Sequence, residues 1–490
     1  MRVPYGISNF EKIRQENYLY IDKTKYIELL EDDVPYQFFI RPRRFGKSLF
    51  LSTLENYYDL NRGQLFDELF NGLYIGENPT KRRNTYLILF LSFSKVITSE
   101  GKERLIESFD NLVISEVSNF LRYYDPIFNE KGIPENITGA EMAINYVVNR
   151  AKQEGKKILI LIDEYDNFAN DLITTGNKEL YYGLLSSEGY VRSFYKTIKD
   201  GTMSSIDRVF MTGVSPIMLD DMTSGFNITK NLTLDGKYNE MLGFTREEVM
   251  NIVDKLHSVK PLDKKVLMED MVNYYNGYLF CRNGRERVFN SNMVLYFINA
   301  LIQDGNYPEN MLDMNMKTDY KKIESMAFNF QDEDTIHTLI TEDTITTQLV
   351  EKFNLEYMYS NKENFISLLF YMGMLTIKDV IFKEYTLTVP NYVIKSIFWE
   401  YFIEKISYRD KVDIKIQELS TAIRSMAVEG KIDLLSTYMN DLMTQLSNRD
   451  LIAFDEKHLK MILNTVFSLS GIYVVNSEYE VENGYRYIPC

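Results

Sequence analysis

The sequence predicts an α/β fold: a buried parallel sheet in the first half of the chain, followed by a mostly helical second half. Two observations carry this reading. Short, continuously apolar strands alternate with stretches of helical periodicity up to about residue 245, and strands that are apolar on both faces and separated by helices belong to a covered parallel sheet. Beyond Phe244-Thr245-Arg246-Glu247-Glu248, where Thr245 is placed to cap a helix, the periodicity turns mostly helical.

Taken in order, Tyr36–Ile40 reads as a short strand, Lys47–Tyr58 as a helix, Tyr86–Phe93 as a strand and Gly139–Glu154 as a helix. Ile158–Ile162 is a five-residue apolar strand, Leu180–Lys199 a helical stretch, and Arg208–Thr212 a further strand. Extended pieces return at Leu375–Ile377 and Tyr385–Val389, which suggests a helical lid followed by a small winged-helix-like module, and Asp410–Leu446 is helical again. A chain of 490 residues exceeds what one hydrophobic core supports, so several domains are expected. Their expected boundaries are 1–245, 246–345, 346–450 and 451–490.

Chemistry concentrates where the first strand leaves the sheet. Phe38-Phe39-Ile40 runs through Arg41-Pro42-Arg43-Arg44-Phe45 into Gly46-Lys47-Ser48-Leu49, a strand, tight loop and helix ending on the Walker A tripeptide. In this setting Gly46 lets the backbone approach phosphates, Lys47 reaches the β and γ oxygens, and the Ser48 hydroxyl can ligate Mg²⁺. Arg41 stands where the usual pattern has its first glycine. Arg43 and Arg44 either lie over phosphates or pair with acids at the loop mouth. The whole loop, Arg41 to Leu49, is the candidate ATP-binding segment.

Ile158-Leu159-Ile160-Leu161-Ile162 then delivers Asp163 and Glu164 to the carboxyl edge of the sheet, where ligands of open α/β sheets bind. Asp163 would hold Mg²⁺ through a water, and Glu164 would orient and polarise the attacking water. A pair of acids ending a strand in solvent is the plainer alternative. Asp166 is read as structural. Thr212, at the end of Arg208–Thr212, is a candidate catalytic hydroxyl that senses the γ-phosphate, together with Lys47 and Glu164.

Composition narrows the field. A net charge of −15 argues against a general nucleic-acid coat, because such binding relies on Lys and Arg displacing counterions. Two cysteines, Cys281 and Cys490, and three histidines offer neither a disulfide framework nor a zinc site. With no signal-peptide-like start and no membrane-spanning run, a reducing cytoplasm is the expected compartment.

With these residues in hand, the chain resembles the bacterial AAA-ATPase-like family, whose members often carry a C-terminal PD-(D/E)XK nuclease-like domain. The resemblance rests on Tyr5-Gly6-Ile7-Ser8-Asn9-Phe10, Tyr18–Thr24, Arg41–Ser48, Ile162–Asp166, Thr212–Ser215, Leu242–Thr245 and Tyr275–Tyr278. It implies a P-loop NTPase of the ASCE/AAA-like type, with an added strand between the Walker A and Walker B strands, and it makes Arg41 a family trait. It also implies that Asp22-Lys23-Thr24 helps form the nucleotide pocket, although a helix cap by Asp22 explains that element equally. The C-terminal end departs from the pattern: Glu456–Leu469 offers a first helix and Ile472–Ile488 a hairpin turning at Asn483-Gly484, but Tyr487 stands where a metal-binding Asp belongs. No Glu-x-Lys strand follows before Cys490, so a truncated nuclease-like remnant without nuclease activity is expected. The leading functional expectation is an ATPase whose cycle moves the C-terminal helical regions. An ATP-binding switch, or a nucleic-acid-associated scaffold with little turnover, are the alternatives. Partner and oligomeric state are not legible, and Arg246, Arg282, Arg285 and Arg287 read as surface residues.

Overall fold

The computed structural model describes residues 1–174, 177, 179–180, 184, 189–217, 226–257, 263–314, 316, 333–353, 361–398, 400, 415–447, 467, 479–481 and 484–486. Its organising element is a five-stranded parallel sheet: β1 (Tyr36–Ile40), β2 (Leu87–Ser92), β3 (Ile158–Asp163), β4 (Ile206–Gly213) and β5 (Lys230–Asn231). The spatial order is β2-β3-β4-β1-β5. β4 therefore sits between the strand that feeds the Gly46-Lys47-Ser48 loop and the strand that ends in Asp163, as expected of the added strand.

β3 lies at the centre of this logic. All six of its residues are buried, with β2 and β4 on either side, which is why its sequence is apolar without alternation. The register brings the carboxyl ends together: Ser92 pairs with Asp163, Ile162 with Met211, and Ile40 with Gly213. Helices cover the faces. In Ala140–Gln153 the residues Ala140, Ala143, Ile144, Val147, Val148 and Ala151 are buried at helical spacing.

Helices Lys47–Tyr58 and Ala140–Gln153 form close to the expected spans, and so do the four longer strands of the sheet. β5 was not legible: two residues, Lys230 and Asn231, pair with Gln37 and Phe38 at the sheet edge without an apolar signature. The helical stretch expected from Leu180 is described as the helix Tyr190–Gly201, and most of residues 180–188 lie outside the described set.

Beyond the sheet come helices Arg246–His257, Lys264–Tyr275 and Ser291–Gln303. Thr245 and Glu248 form a reciprocal capping box, with Thr245 N donating to Glu248 Oε2 at 2.8 Å and Glu248 N to Thr245 Oγ1 at 3.2 Å. An antiparallel sheet follows, ordered β6-β8-β7, from β6 (Thr344–Thr347), β7 (Thr376–Ile381) and β8 (Glu384–Thr388), with the helix Lys362–Tyr371 preceding β7. One continuous hydrophobic core runs from Phe10 through Phe398, so this sheet is packed onto the same body as the first. Helices Ile416–Glu429 and Asp433–Ser447 build a smaller core of their own around Ile423 and Tyr438. At the end, β9 (Tyr479–Val481) pairs antiparallel with β10 (Gly484–Arg486). Tyr487 and residues 456–466 lie outside the described residues. No helix among the described residues is long and apolar enough to cross a membrane.

Candidate functional site

The loop leaving β1 turns on two left-handed residues, Arg44 at φ 66° and Gly46 at φ 97°. Gly46 is the N-cap of the helix Lys47–Tyr58, so the free backbone N–H groups of the first turn open onto the loop. Glu164, the residue that leaves β3, is also left-handed at φ 51°, an uncommon conformation for a non-glycine residue and one that clusters at functional sites.

These turns bring the expected groups together. The Ser48 hydroxyl donates to Asp163 Oδ2 at 2.6 Å, although 115 positions separate them in sequence. The buried Lys47 ammonium donates to the carbonyls of Arg41 (2.8 Å) and Pro42 (2.9 Å), and its charge acts on Asp163 and Glu164. Burial lowers the Lys47 pKa to about 8, the nearby carboxylates only partly opposing it. Burial likewise raises both acids above their ordinary range. For Asp163 the Ser48 hydrogen bond works against this, while for Glu164 the Asp163 charge adds to it.

A cavity of about 600 Å³ opens in front of these groups, a size that suits a nucleotide-sized ligand. Arg43, Arg44, Phe45, Gly46, Lys47, Ser48, Leu49 and Glu164 line it, and Asp163 lies directly behind Ser48. Arg43 stands near enough to Glu164 to pull its pKa down. Away from the loop the wall becomes largely apolar, with Ile7, Leu19, Ile21, Leu242 and Phe244.

Three expected site residues, Arg41, Pro42 and Thr212, stand outside the cavity. The Arg41 side chain is fully buried and turned into the protein, donating to the carbonyls of Ile40 (2.8 Å), Thr233 (3.0 Å) and Tyr238 (3.1 Å). Its guanidinium lies between the rings of Phe39 and Phe280, 4.1 and 4.3 Å from their centroids. Neither it nor Pro42 lines the cavity; Arg41 braces the phosphate loop from behind. Thr212 is buried and donates to Phe39 O at 2.9 Å, a bond between neighbouring strands that leaves its hydroxyl engaged inside the sheet. The rest of its motif has a clear structural task. Asp166 accepts from Ser215 N (2.6 Å), Ser215 Oγ (2.8 Å) and Val214 N (3.1 Å), as a structural reading of that acid requires. Gly213 permits this approach, since a Cβ there would stand 2.3 Å from Asp166 Oδ1.

The remaining motifs also converge here. Phe45 meets Tyr278 and Phe280 edge-on, at 5.0 and 5.4 Å, and Gly243 N donates to Phe45 O at 3.2 Å. Lys23 lines the cavity and pairs with Glu248 at 2.7 Å, joining the N-terminal segment to the helix Arg246–His257. Asp22 is not the helix N-cap, which is Thr24; its carboxylate accepts from Thr24 N (2.8 Å) and Tyr74 N (2.7 Å) and so ties the start of helix Lys25–Glu31 to Tyr74. Sequence reasoning missed Asn167, Asp171, Ser291 and Asn292, which also line the cavity. The start of helix Ser291–Gln303 abuts the loop, where Ser291 Oγ and Asn292 N both donate to Arg44 O, at 3.2 and 3.3 Å. Asn290-Ser291 is legible as a helix start, but nothing local shows which loop it meets.

The fold and the cavity define a P-loop class of protein: a parallel sheet with Gly46-Lys47-Ser48 after one strand and Asp163-Glu164 after another. Comparison with known proteins agrees, in that residues 4–223 match the AAA-ATPase-like family model, described as a predicted AAA-ATPase. A curated relative from Azotobacter chroococcum mcd 1, an uncharacterized protein in the vnfD 5′ region, is 28% identical over 284 residues. That match takes in 56% of this chain and 48% of the relative, so the chain spans about half of the relative's length. Among solved structures, the chain is similar to Cdc6p from Pyrobaculum aerophilum, with 10% identity and a TM-score of 0.32, over 82% of this chain and 96% of that one. It is also similar to the ORC2 protein of Aeropyrum pernix in ADPNP–ADP complexes, with 11% identity and a TM-score of 0.37, over 81% and 98% of the two chains.

Proposed function

We propose that this chain binds ATP with Mg²⁺ in the cavity in front of Gly46-Lys47-Ser48 and hydrolyses it. The observation that carries the reading is the Ser48–Asp163 hydrogen bond at 2.6 Å, with the Lys47 ammonium and Glu164 beside it. Hydroxyl and carboxylate oxygens are the hard donors Mg²⁺ prefers, and their separation is near the roughly 3 Å edge that ligands at about 2.1 Å make in an octahedron. Ser48 and Asp163 would hold the ion, which when bound neutralises charge on the phosphate oxygens.

The chain's own groups do the rest. Lys47 leaves the carbonyls of Arg41 and Pro42 for the β and γ oxygens, and the N–H groups of the first helical turn donate to the phosphates. Glu164 orients one water in line with the γ-phosphorus. A bond forms from water oxygen to phosphorus as the bond to the bridging oxygen breaks, releasing ADP and inorganic phosphate. In this reading residues 1–245 form the nucleotide-binding unit and 246–345 a lid that contributes Ser291, Asn292 and Leu295 to the cavity wall. The free, buried Cys281 suits a reducing cytoplasm.

The test is Glu164→Gln with phosphate release and nucleotide binding measured side by side. Hydrolysis predicts turnover reduced by about 10²–10⁴-fold with binding retained. Equal, negligible release from both proteins would instead assign the site to an ATP-binding switch.

A further inference from the structure

The hairpin of β7 and β8 carries a side chain that the fold itself does not need. The two strands are joined by a two-residue loop, Phe382-Lys383, between the paired residues Ile381 and Glu384. Phe382 has φ 57°, in the first central position of such a loop. Hairpin loops fill positive-φ positions with Gly, Asn or Asp, because a side chain there is strained. Here a bulky aromatic residue occupies it, and the residue is 85% exposed. Ile381 beside it is 59% exposed. Strain and exposure both act against folding, and a residue kept in spite of both points to a task outside the fold.

The mount is rigid. Arg287 donates to Gly277 O (2.7 Å) and Ile377 O (2.9 Å), fixing the base of the hairpin to the body. At the tip, Arg282 donates to Phe382 O at 3.1 Å, which holds the backbone while the ring projects outward. Three exposed cations stand on the hairpin or against its tip: Lys378, at the bulge between Ile377 and Asp379, Lys383 in the loop, and Arg282. Asp379 and Glu384 are the acids on the same hairpin.

We propose that this hairpin tip is a nucleic-acid contact, with Phe382 and Ile381 acting as a wedge between base steps of a duplex and Arg282, Lys378 and Lys383 on the flanking phosphates. A two-stranded ribbon fits a DNA groove, and apolar wedges flanked by Lys or Arg are how proteins unstack and kink a duplex. Three exposed cations against the two acids Asp379 and Glu384, on a chain of net charge −15, favour a phosphate backbone over an acidic protein surface at this tip. The inference stands independently of ATP hydrolysis.

The experiment uses the full chain, a fluorescein-labelled DNA duplex of mixed sequence read by anisotropy, and a second duplex carrying 2-aminopurine to report unstacking. Parent protein is expected to bind, to raise 2-aminopurine fluorescence, and to show a slope of log affinity against log salt near −3, about 0.9 per cation engaged. Phe382→Gly is expected to weaken binding by roughly tenfold or more and to abolish the fluorescence rise, stacking on an aromatic side chain being worth that much. Its melting temperature should be unchanged or higher, because glycine suits the turn. The proposal is overturned if parent protein fails to bind, or if Phe382→Gly binds the duplex as parent does. It is equally overturned if the substitution lowers the melting temperature, which would assign the ring to the fold, or if its effect is to dissolve a dimer of this chain that the duplex leaves intact.

Discussion

Gly373 lies against the ring of Pro42, so closely that a Cβ at position 373 would stand 2.7 Å from Pro42 Cγ. The contact links the turn before β7 to the phosphate loop. Gly373 also has φ 83°, so alanine there meets both a clash and a disfavoured backbone. Gly373→Ala is expected to cost about 2–4 kcal/mol, from left-handed strain and overpacking together. Although residue 373 is outside the cavity, the displaced loop should weaken nucleotide binding, and titration calorimetry beside thermal melting measures both. Nucleotide affinity unchanged in a destabilised protein would show that Pro42 and the cavity are mechanically separate.

Arg41 invites the opposite substitution, Arg41→Gly, which restores the more usual loop sequence. The buried guanidinium satisfies three carbonyls and fills the space between Phe39 and Phe280, while its Nε has no partner among the described residues. Burial lowers its pKa, with no carboxylate among the described residues to oppose that, and the group nevertheless stays charged. Glycine would leave the carbonyls unpaired and open a cavity, so the protein should lose about 3–5 kcal/mol. Denaturant unfolding checks this. A variant as stable as the parent would mean that the loop holds its shape without the brace.

How much of this was legible follows from how local each signal is. Tyr36–Ile40, Lys47–Tyr58 and Ile158–Asp163 emerge where their patterns put them, because apolar continuity and helical spacing are decided within a few residues. The meeting of Lys47, Ser48, Asp163 and Glu164 was readable because each lies at or next to the end of an element, and a parallel sheet brings such ends to one edge. Direction was not readable. Arg41 looks like a phosphate ligand in the sequence, yet its neighbour in space is Phe280, and Thr212 turns to Phe39 across the sheet. The approach of Ser291 and Asn292 to Arg44 depends on packing across some 250 residues, and no local pattern encodes it.

Lys23 and Glu248 provide a test of the cavity wall. The ammonium is buried, with Glu240 O at 3.0 Å and Glu248 Oε2 at 2.7 Å as partners, and burial depresses its pKa against the pull of Glu248. Removing one partner leaves a buried charge, so Glu248→Gln and Lys23→Met should each cost about 3–5 kcal/mol. Glu248→Gln keeps a hydrogen-bond acceptor for Thr245 N and should fall at the lower end. The double variant should recover part of the loss, and a double-mutant cycle by thermal melting measures the coupling. Strict additivity would mean that the pair does not hold the N-terminal segment to the helix Arg246–His257.

Lys47 gives the sharpest pH dependence, and stability and binding move in opposite directions. Its pKa is about 8 in the folded chain against an ordinary 10.5. Below pH 8 both folded and unfolded chains carry the proton, and the folded chain bears the cost of a desolvated charge. Between those two values the unfolded chain holds more protons, so this group makes stability rise with pH. Lys47→Met removes the cost and should raise stability at neutral pH by at most on the order of 3 kcal/mol, from about 1.4 kcal/mol per pH unit, the gain shrinking as pH climbs above 8. If the proposed site binds nucleotide through this ammonium, parent affinity should fall above about pH 8, and binding there should take up a proton, since bound phosphate raises the lysine pKa. Calorimetry in buffers of different ionisation enthalpy detects that uptake. Affinity that stays flat from about pH 7 to about pH 9.5, with no proton taken up, would remove the Lys47 ammonium from the phosphate site.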